Sequence, residues 1–299
     1  MKYQDYLLKV TGFVICVVIF KQYIAPYVVP DEKYLVNKFI YNNDYSTSKP
    51  YLWLYIETEK NARNWNSFND RTSTKMNIPF VEHCLKSVIQ KNQHLFNVCL
   101  VTDDNIKELI PDWTYNISEL SEPTKTRVQR LAKLKLLYYY GGLLVPSSCL
   151  CKSGLRSLYA ETRNGPFVIC CDKSNRVIGS RKGEHELLTH IENMKSYVHD
   201  QSNESDFNDL MNSSATNNLR ELDKGIFGVT DVEGKHISLS ELLGEEKVNL
   251  KDDVVGIYLP KDEIVNSTKY GWFARMTNED IGESNLWLRH VWFDGKNIL

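Results

Sequence analysis

The sequence predicts an α/β fold in which helices flank a mixed, mainly parallel β-sheet. Two observations predict it. Short runs of β-branched and aromatic residues alternate along the chain with longer segments whose apolar residues recur at helical spacing. A Gly-Gly pair separates the longest of these helical segments from the short run that follows. Alternation of this kind, with no internal repeat, is typical of one α/β domain.

The first half of the domain is predicted to hold three strands and two helices. Strands are expected at Tyr51–Ile56, Phe96–Val101 and Leu143–Val145. A helix over 81–89 separates the first two strands, and a long helix from about Lys125 to Tyr140 precedes the third and ends at the glycine pair. We expect the three strands to be neighbours in one sheet.

The second half is predicted to hold three more strands and two more helices. The strands are expected at Phe167–Cys171, Arg176–Gly179 and Val254–Leu259, and the helices at Glu184–Val198 and Asp280–Val291. Thr277 and Asp280, three residues apart, resemble an N-cap pair for the last helix. The segment 201–218 is dense in Ser, Asn and Asp and is predicted to be an exposed loop.

The N-terminal segment is predicted to anchor the chain in a membrane. Eleven uncharged residues separate Lys9 from Lys21. The segment reaches bilayer length over Tyr6–Ile24 if both lysines extend their ammonium groups to the interface. A cleaved signal peptide and a buried core helix are the alternatives. Lysines on both sides leave the orientation of the anchor open.

These patterns divide the chain into three parts. They are a membrane anchor over 1–25, a stem over 26–48 that contains two prolines and a polar run, and the α/β domain over 49–299. The last part of the α/β domain forms a C-terminal helical extension.

Charge and cysteine content exclude several classes of protein. Lys and Arg number 36 and Asp and Glu 38, so the net charge is −2, which does not favour nucleic-acid binding. The seven cysteines are too few for a disulfide scaffold and include no Cys-x-x-Cys pair. For Cys149 and Cys151, and for the adjacent Cys170 and Cys171, burial as small apolar side chains is favoured over metal ligation.

Two further motifs carry little functional weight. His185 and His190 lie five residues apart on a predicted helix, about 140° around its axis, so they cannot share a metal as an i, i+4 pair does. Four Asn-x-Ser/Thr sequons support a lumenal location only slightly, because a chain rich in these residues contains several by chance. They begin at Asn116, Asn203, Asn212 and Asn266.

The most informative segment runs from Thr126 to Cys151. Its centre reads Leu136-Leu-Tyr-Tyr-Tyr-Gly-Gly142, where a helix leads through tyrosines and the glycine pair into a short strand. This run resembles the central signature of nucleotide-sugar-dependent glycosyltransferases with the GT-A fold, of the capsular-polysaccharide-synthesis and initiation-mannosyltransferase types. The resemblance covers roughly residues 50–195 and implies a Rossmann-like sheet. Residues 269–291 lie outside it and resemble a C-terminal extension in proteins of large DNA viruses.

The residues that would hold a metal differ from those of the resembled family. A GT-A enzyme uses an Asp-x-Asp or Asp-x-Thr motif to hold a divalent cation against the diphosphate of its donor. When the chain is aligned on Gly141 and Gly142, the two ligand positions fall on Pro146 and Ser148, which carry no carboxylate. The resemblance therefore implies no manganese site, and a nucleotide-sugar donor only if the protein is active.

Candidate nucleotide-sugar-binding residues remain, whereas no catalytic residue is assigned. The candidates are Asp103, Asp104, Arg130, Lys133, Gly141, Gly142 and Ser148. Arg130 and Lys133 occupy helix positions that contact nucleotide as Asp and Arg in the family. They either place positive charge near a diphosphate or, as the favoured alternative, form the solvated face of an amphipathic helix. Asp103 and Asp104 either contact nucleotide or cap the next helix.

Two functions are consistent with these departures. The favoured one is a membrane-anchored glycosyltransferase-like protein that does not catalyse transfer and serves in structure, partner binding or sugar binding. Its expected partners are the membrane, through Tyr6–Ile24, and a protein in a capsid or membrane assembly, which places it in an endomembrane or a virion membrane. The alternative is an active, metal-independent hexosyltransferase. Because a fold alone does not carry a function, the altered site residues favour the first.

Overall fold

The computed structural model describes residue 40 and the ranges 45–56, 78–172, 175–199 and 219–293. The predicted anchor at Tyr6–Ile24, nearly all of the stem and the predicted loop over 201–218 lie outside the described residues and stay predictions. Within those ranges, no helix combines the length and the apolar character needed to cross a bilayer.

The described ranges contain strands and helices in alternation. The strands are β1 (Tyr51–Ile56), β2 (Asn97–Thr102), β3 (Gly142–Pro146), β4 (Cys149–Cys151), β5 (Phe167–Cys170), β6 (Arg176–Ser180), β7 (Arg220–Glu221) and β8 (Gly256–Tyr258). The α-helices are α1 (Pro79–Asn92), α2 (Ile106–Leu109), α3 (Thr124–Tyr140), α4 (Arg156–Ala160), α5 (His185–His199), α6 (Leu239–Leu242), α7 (Lys261–Asn266), α8 (Asn278–Glu283) and α9 (Leu288–Trp292).

A central sheet, six-stranded in the described part of the chain, has the order β2-β1-β3-β6-β5-β7. The pairs β1-β2, β1-β3 and β5-β7 are parallel, and β6 is antiparallel to both β3 and β5. Five of these strands therefore share one direction, and β6 runs against them. The predicted mixed, mainly parallel sheet is confirmed, as is the prediction that the first three strands are neighbours. This architecture is compatible with a Rossmann-like fold.

Alternate residues of the central strands pack into two cores, one on each face of the sheet. Leu52 and Leu54 of β1 belong to the core that α1 and the β4–β8 pair cover. Trp53 and Tyr55 belong to the opposite core, which α3 and α5 cover. This alternation follows from the two-residue period of a strand. It places α1 and α3, which connect β1 to β2 and β2 to β3, on opposite faces.

The C-terminal part differs from its prediction in two places. The strand expected over Val254–Leu259 is shorter and pairs with β4 in a separate antiparallel sheet. The single helix expected over Asp280–Val291 is wrong, because the chain breaks into α8 and α9. At the break Ser284 is extended, and the Trp287 amide donates to the Gly244 carbonyl oxygen at 2.7 Å. The predicted N-cap pair of Thr277 and Asp280 is confirmed as a capping box.

A buried histidine on α5 should make the stability of the domain depend on pH. His190 is 3% exposed, and its Nε2 atom has no hydrogen-bond partner among the described residues. Burial, helped by the nearby Arg176 guanidinium, holds the pKa of His190 below its ordinary value. The unfolded chain therefore takes up this proton at higher pH than the folded chain, so the free energy of unfolding falls as the pH drops below about 6.5.

We expect His190→Gln to reduce the loss of stability between about pH 7.5 and about pH 5.5, as measured by urea unfolding at each pH. His94→Gln is the matched control, because His94 is exposed, and it should leave the pH dependence unchanged. An unaltered pH dependence in His190→Gln would show that this side chain does not carry the effect.

Candidate functional site

The carboxyl ends of several strands meet at one edge of the sheet, which we call the carboxyl edge. β1, β2 and β3 are parallel, and β5 shares their direction because both β3 and β5 run against β6. After β1 the chain forms β2 on one side of β1 and then β3 on the other side. The strand order therefore reverses between β1 and β3. In open α/β sheets the ligand crevice lies outside the carboxyl ends at such a reversal. The carboxyl edge is therefore the candidate site.

Asp103, directly after β2, is the centre of a polar cluster at this edge. Its Oδ1 accepts hydrogen bonds from Tyr55 Oη at 2.6 Å and from Gln129 Nε2 at 3.0 Å. Its Oδ2 lies 3.1 Å from the same Gln129 nitrogen and 3.5 Å from Lys125 Nζ. The Asp103 side chain is 1% exposed, so two neutral donors and one ammonium group satisfy a carboxylate that would be costly to bury alone.

A second ammonium group lies close to this cluster. Lys133 Nζ sits 4.8 Å from the centroid of the Tyr55 ring, a distance at which a cation is attracted to the face of an aromatic ring. Because Tyr55 is the penultimate residue of β1, this contact brings Lys133 to the carboxyl edge. We call Tyr55, Asp103, Lys125, Gln129 and Lys133 the Asp103 cluster.

One further candidate, Arg130, lies on α3, which packs against the sheet and α5. Arg130 is half-exposed. The expected buried stripe is present, since Val128, Leu131, Leu134 and Leu137 are all buried. The helix also buries Arg127, whose guanidinium carbon lies 4.3 Å from the centroid of the Tyr197 ring on α5. The helix is thus enclosed on more sides than a simple amphipathic pattern indicates.

Asp104 plays a different part from Asp103. It is exposed, and its Oδ1 accepts a hydrogen bond from Ser118 Oγ at 2.5 Å. The expectation that either aspartate caps the next helix is wrong, because Asn105 is the N-cap of α2 and that cap has no side-chain hydrogen bond. The Asn105 side chain instead accepts from the Thr102 amide at 2.7 Å. Asp104 therefore tethers a surface loop.

The glycine pair lies at the opposite edge of the sheet from the Asp103 cluster. Gly141 and Gly142 have φ angles of +69° and +109°; Gly141 is the C-cap of α3, and Gly142 is the first residue of β3, which ends at Pro146. The Gly141 carbonyl oxygen accepts from Trp53 Nε1 at 2.8 Å. Strand packing and a backbone conformation that favours glycine account for the pair. The structure does not bring these two candidates to the carboxyl edge.

The turn that follows β3 does lie at the carboxyl edge. Pro146 is aligned with Tyr55 across the β1–β3 pair. Ser148 is 3% exposed, and its carbonyl oxygen accepts from the Leu259 amide at 3.0 Å. The two metal-ligand positions of the resembled family are thus occupied by a half-buried proline ring and a buried serine. The described residues include no group of three or more His, Cys, Asp or Glu arranged to hold a metal ion.

Sequence reasoning missed Tyr55, Lys125 and Gln129 of the Asp103 cluster, and it also missed Asp172. One residue, Cys171, separates Asp172 from the end of β5, and Asp172 is half-buried. Its carboxylate accepts from the Tyr258 hydroxyl, from the Asn175 amide at 2.5 Å and from Asn175 Nδ2 at 3.2 Å. Burial, together with the charge of Asp172, raises the pKa of the Tyr258 hydroxyl well above its usual range. An acidic residue just beyond a buried strand was the available signal, the same one that marked Asp103.

Three of the four cysteines predicted to be buried apolar side chains, Cys149, Cys151 and Cys171, are buried, whereas Cys170 is half-buried. Cys84, Cys149, Cys151 and Cys171 are all buried in one core. Burial raises the pKa of the Cys84 thiol well above its usual range and that of Cys151 to about 11. Thiols held protonated in this way are poor nucleophiles and poor metal ligands. Their contribution is packing beneath the turn.

Comparison with known proteins adds no relative. No model of a known protein family matches the chain, and a search of curated proteins returns no match.

Proposed function

We propose that this chain is a membrane-anchored glycosyltransferase-like protein that binds a nucleotide sugar at the carboxyl edge without a metal ion and without transferring the sugar. The observation that carries the proposal is the chemistry of this edge. A satisfied carboxylate and two ammonium groups lie where β1 and β2 end, and a proline and a buried serine lie where β3 ends.

The first step of the argument concerns binding. A diphosphate needs positive charge, and lysine ammonium groups are common phosphate partners in proteins. Lys125 and Lys133 both come from the first three turns of α3 and flank Tyr55 and Asp103 at the strand-order reversal. Hydrogen bonds from Tyr55 and Gln129 hold the buried Asp103 carboxylate between β1, β2 and α3, and the carboxylate in turn fixes the positions of these side chains beside the two lysines.

The second step concerns turnover. Transfer from a nucleotide sugar leaves negative charge on the departing diphosphate, which a bound cation stabilises in the metal-dependent enzymes. Proline has no side-chain ligand atom, and a single buried hydroxyl is a weak ligand for a divalent cation. Pro146 and Ser148 therefore do not supply the charge that the reaction needs, so binding without transfer is the function that the residues favour.

Calorimetric titration of the full chain in detergent with uridine and guanosine diphosphate sugars, with and without manganese, tests the proposal. We expect binding whose Kd does not change with manganese, and no hydrolysed or transferred sugar. Asp103→Asn should weaken binding about tenfold, because an amide donor would face the Gln129 amide donor and disturb the Asp103 cluster. Asp104→Asn, at the exposed neighbour, is the control and should bind as the unmodified chain does. Manganese-dependent hydrolysis or transfer would overturn the proposal.

The basic side chains of α3 also favour one alternative, an active transferase that uses Lys133 and Arg130 in place of a metal ion. This alternative requires transfer without manganese that is lost in Lys133→Ala or Arg130→Ala. Lys135→Ala is its matched control, because the Lys135 ammonium lies 5.6 Å from the centroid of the Trp113 ring rather than near Tyr55. Metal-free transfer that survives in Lys135→Ala and disappears in Lys133→Ala would establish the alternative.

A further inference from the structure

The chain reaches the domain from the side of the carboxyl edge. Ile40, in the predicted stem, forms an antiparallel bridge with Cys99 in the middle of β2. Farther along the chain, the Asn97 side chain at the start of β2 binds the backbone of Ser46 and Lys49. Ile40 therefore lies nearer the carboxyl edge than Ser46 does, and the chain at Ile40 runs against β2, toward the opposite or amino edge of the sheet.

This direction indicates which side of the domain faces the predicted anchor. Sixteen residues lead from Ile24, the last residue of the predicted span, to Ile40, and they reach at most about 55 Å. A bilayer that faces the carboxyl edge is reached directly along the direction of the chain at Ile40. A bilayer that faces the amino edge would require the chain to turn back along the whole sheet. The bridge at Ile40 therefore favours a bilayer on the side of the carboxyl edge.

Residues 269–276 lie on the same side of the domain. The Leu259 amide donates to the Ser148 carbonyl oxygen, so the chain leaves β8 beside the turn that follows β3 at the carboxyl edge. The Phe273 ring lies 5.5 Å from the Phe80 ring, in the first turn of α1. Because α1 leads back to the start of β2, its first turn is on the side of the carboxyl edge. Two separate contacts thus place the segment there.

The segment exposes an aromatic side chain between two cationic ones. Trp272 is 40% exposed, whereas its neighbour Phe273 is buried. Lys269 and Arg275 are both exposed. Among the described residues, Val232 is the other large hydrophobic side chain that is exposed. Tryptophan accompanied by lysine and arginine is typical of protein segments that lie in the headgroup region of a bilayer.

Resting on the membrane anchor of the proposed function, we propose that residues 269–276 form a second membrane contact, in which the Trp272 indole lies in the headgroup region of the bilayer. This contact turns the carboxyl edge, and with it the candidate site, toward the membrane. Exposed carboxylates of Asp262, Glu263 and Glu279 flank the segment and offset its positive charge. The contact therefore does not require anionic lipid, and zwitterionic phosphatidylcholine is a sufficient partner.

Quenching of tryptophan fluorescence by brominated phosphatidylcholine tests the proposal on the full chain in vesicles. Bromine atoms on the acyl chains quench tryptophans at the bilayer, and they do not quench tryptophans on a part of the domain that faces water. We expect vesicles with brominated lipid to give lower fluorescence from the unmodified chain than vesicles without it. Most of this loss should disappear in Trp272→Phe, which keeps an aromatic ring, and its circular dichroism should match that of the unmodified chain.

His94→Trp is the matched control. His94 is exposed and lies between α1 and β2, at the amino edge, so the tryptophan introduced there should add fluorescence that brominated lipid does not quench. An equal loss of fluorescence in the unmodified chain and in Trp272→Phe overturns the proposal. Quenching of the tryptophan introduced in His94→Trp also overturns it, because the amino edge would then face the bilayer.

Flotation of the vesicles in a density gradient separates this inference from the proposed function. If the full chain floats with the vesicles and its fluorescence is not quenched, the second membrane contact is wrong and the anchor stands. If the full chain does not float, the membrane anchor of the proposed function fails, and this inference fails with it. The calorimetric titration with nucleotide sugars is independent of both results.

Discussion

Gly142→Ala should lower the free energy of unfolding by more than about 4 kcal/mol, whereas Gly165→Ala should lower it by only about 1–3 kcal/mol. A Cβ atom at Gly142 would lie 2.3 Å from the Tyr51 carbonyl oxygen, a backbone atom in the neighbouring strand. Gly165 has a similar φ, +100° against +109°, but a Cβ atom there would meet no atom within 4 Å. The two variants therefore share the backbone strain, and the clash occurs in Gly142→Ala alone.

Urea unfolding followed by circular dichroism measures this difference. We expect Gly142→Ala to lose more than about 4 kcal/mol, a loss that exceeds the usual range of point substitutions. A loss in Gly142→Ala no larger than that in Gly165→Ala would show that β1 and β3 separate at this point without cost. The hydrogen bond from Trp53 to the Gly141 carbonyl oxygen indicates close packing of β1 against the start of β3. That result would show that this packing is looser.

Replacing Pro146 and Ser148 together by Asp should create a manganese site that the unmodified chain lacks. Pro146 is the last residue of β3 and Ser148 lies in the two-residue turn that follows, so the two positions are close together along the chain. Because Ser148 is buried, the added carboxylates should destabilise the domain in the absence of metal. A divalent cation bound between them should reverse this loss of stability. At a concentration 100 times the Kd, manganese should stabilise the variant by about 2.7 kcal/mol.

Thermal unfolding with and without manganese is the measurement. Pro146→Asn with Ser148→Asn is the matched control, since it has nearly the same shape without the charge, and manganese should not change its Tm. The Tm of the unmodified chain should also stay the same. A manganese-dependent rise in Tm of the unmodified chain would contradict this account of the turn. We expect no transfer activity in the Asp variant, because Arg130 and Lys133 still differ from the enzyme pattern.

Local sequence patterns predicted the elements of this fold well where one segment determines its own structure. The alternation in Tyr51–Ile56 specifies a strand with two buried faces, and Thr277 with Asp280 forms a cap within four residues. The break between α8 and α9 was not predicted, because the Trp287 amide is bound by Gly244, more than forty residues earlier. A contact of that range leaves no periodic signal in the sequence.

The candidate site was predicted less completely, for the same physical reason. Asp103 was identified from its place after a strand, but its partner Gln129 is 26 residues away and occupies a helix position with no distinctive pattern. Asp172 and Tyr258 are 86 residues apart. The glycine pair was assigned to the site because it lies in the resembled signature, whereas its positive φ angles and its contact with Tyr51 explain it through backbone geometry. Proximity in sequence to a motif is therefore a weaker guide than position along the sheet.

The pairing of β4 with β8 has a consequence for how the protein is made. Cys149 pairs with Tyr258, which is synthesised more than one hundred residues later. The parallel strands β1, β2 and β3 are all synthesised before β8, so β4, which follows Pro146–Ser148, has no partner strand until β8 is made. Contacts of such long range form slowly. A nascent chain halted before residue 256 would contain every residue of the Asp103 cluster but neither β8 nor Tyr258, the residue whose hydroxyl donates to Asp172.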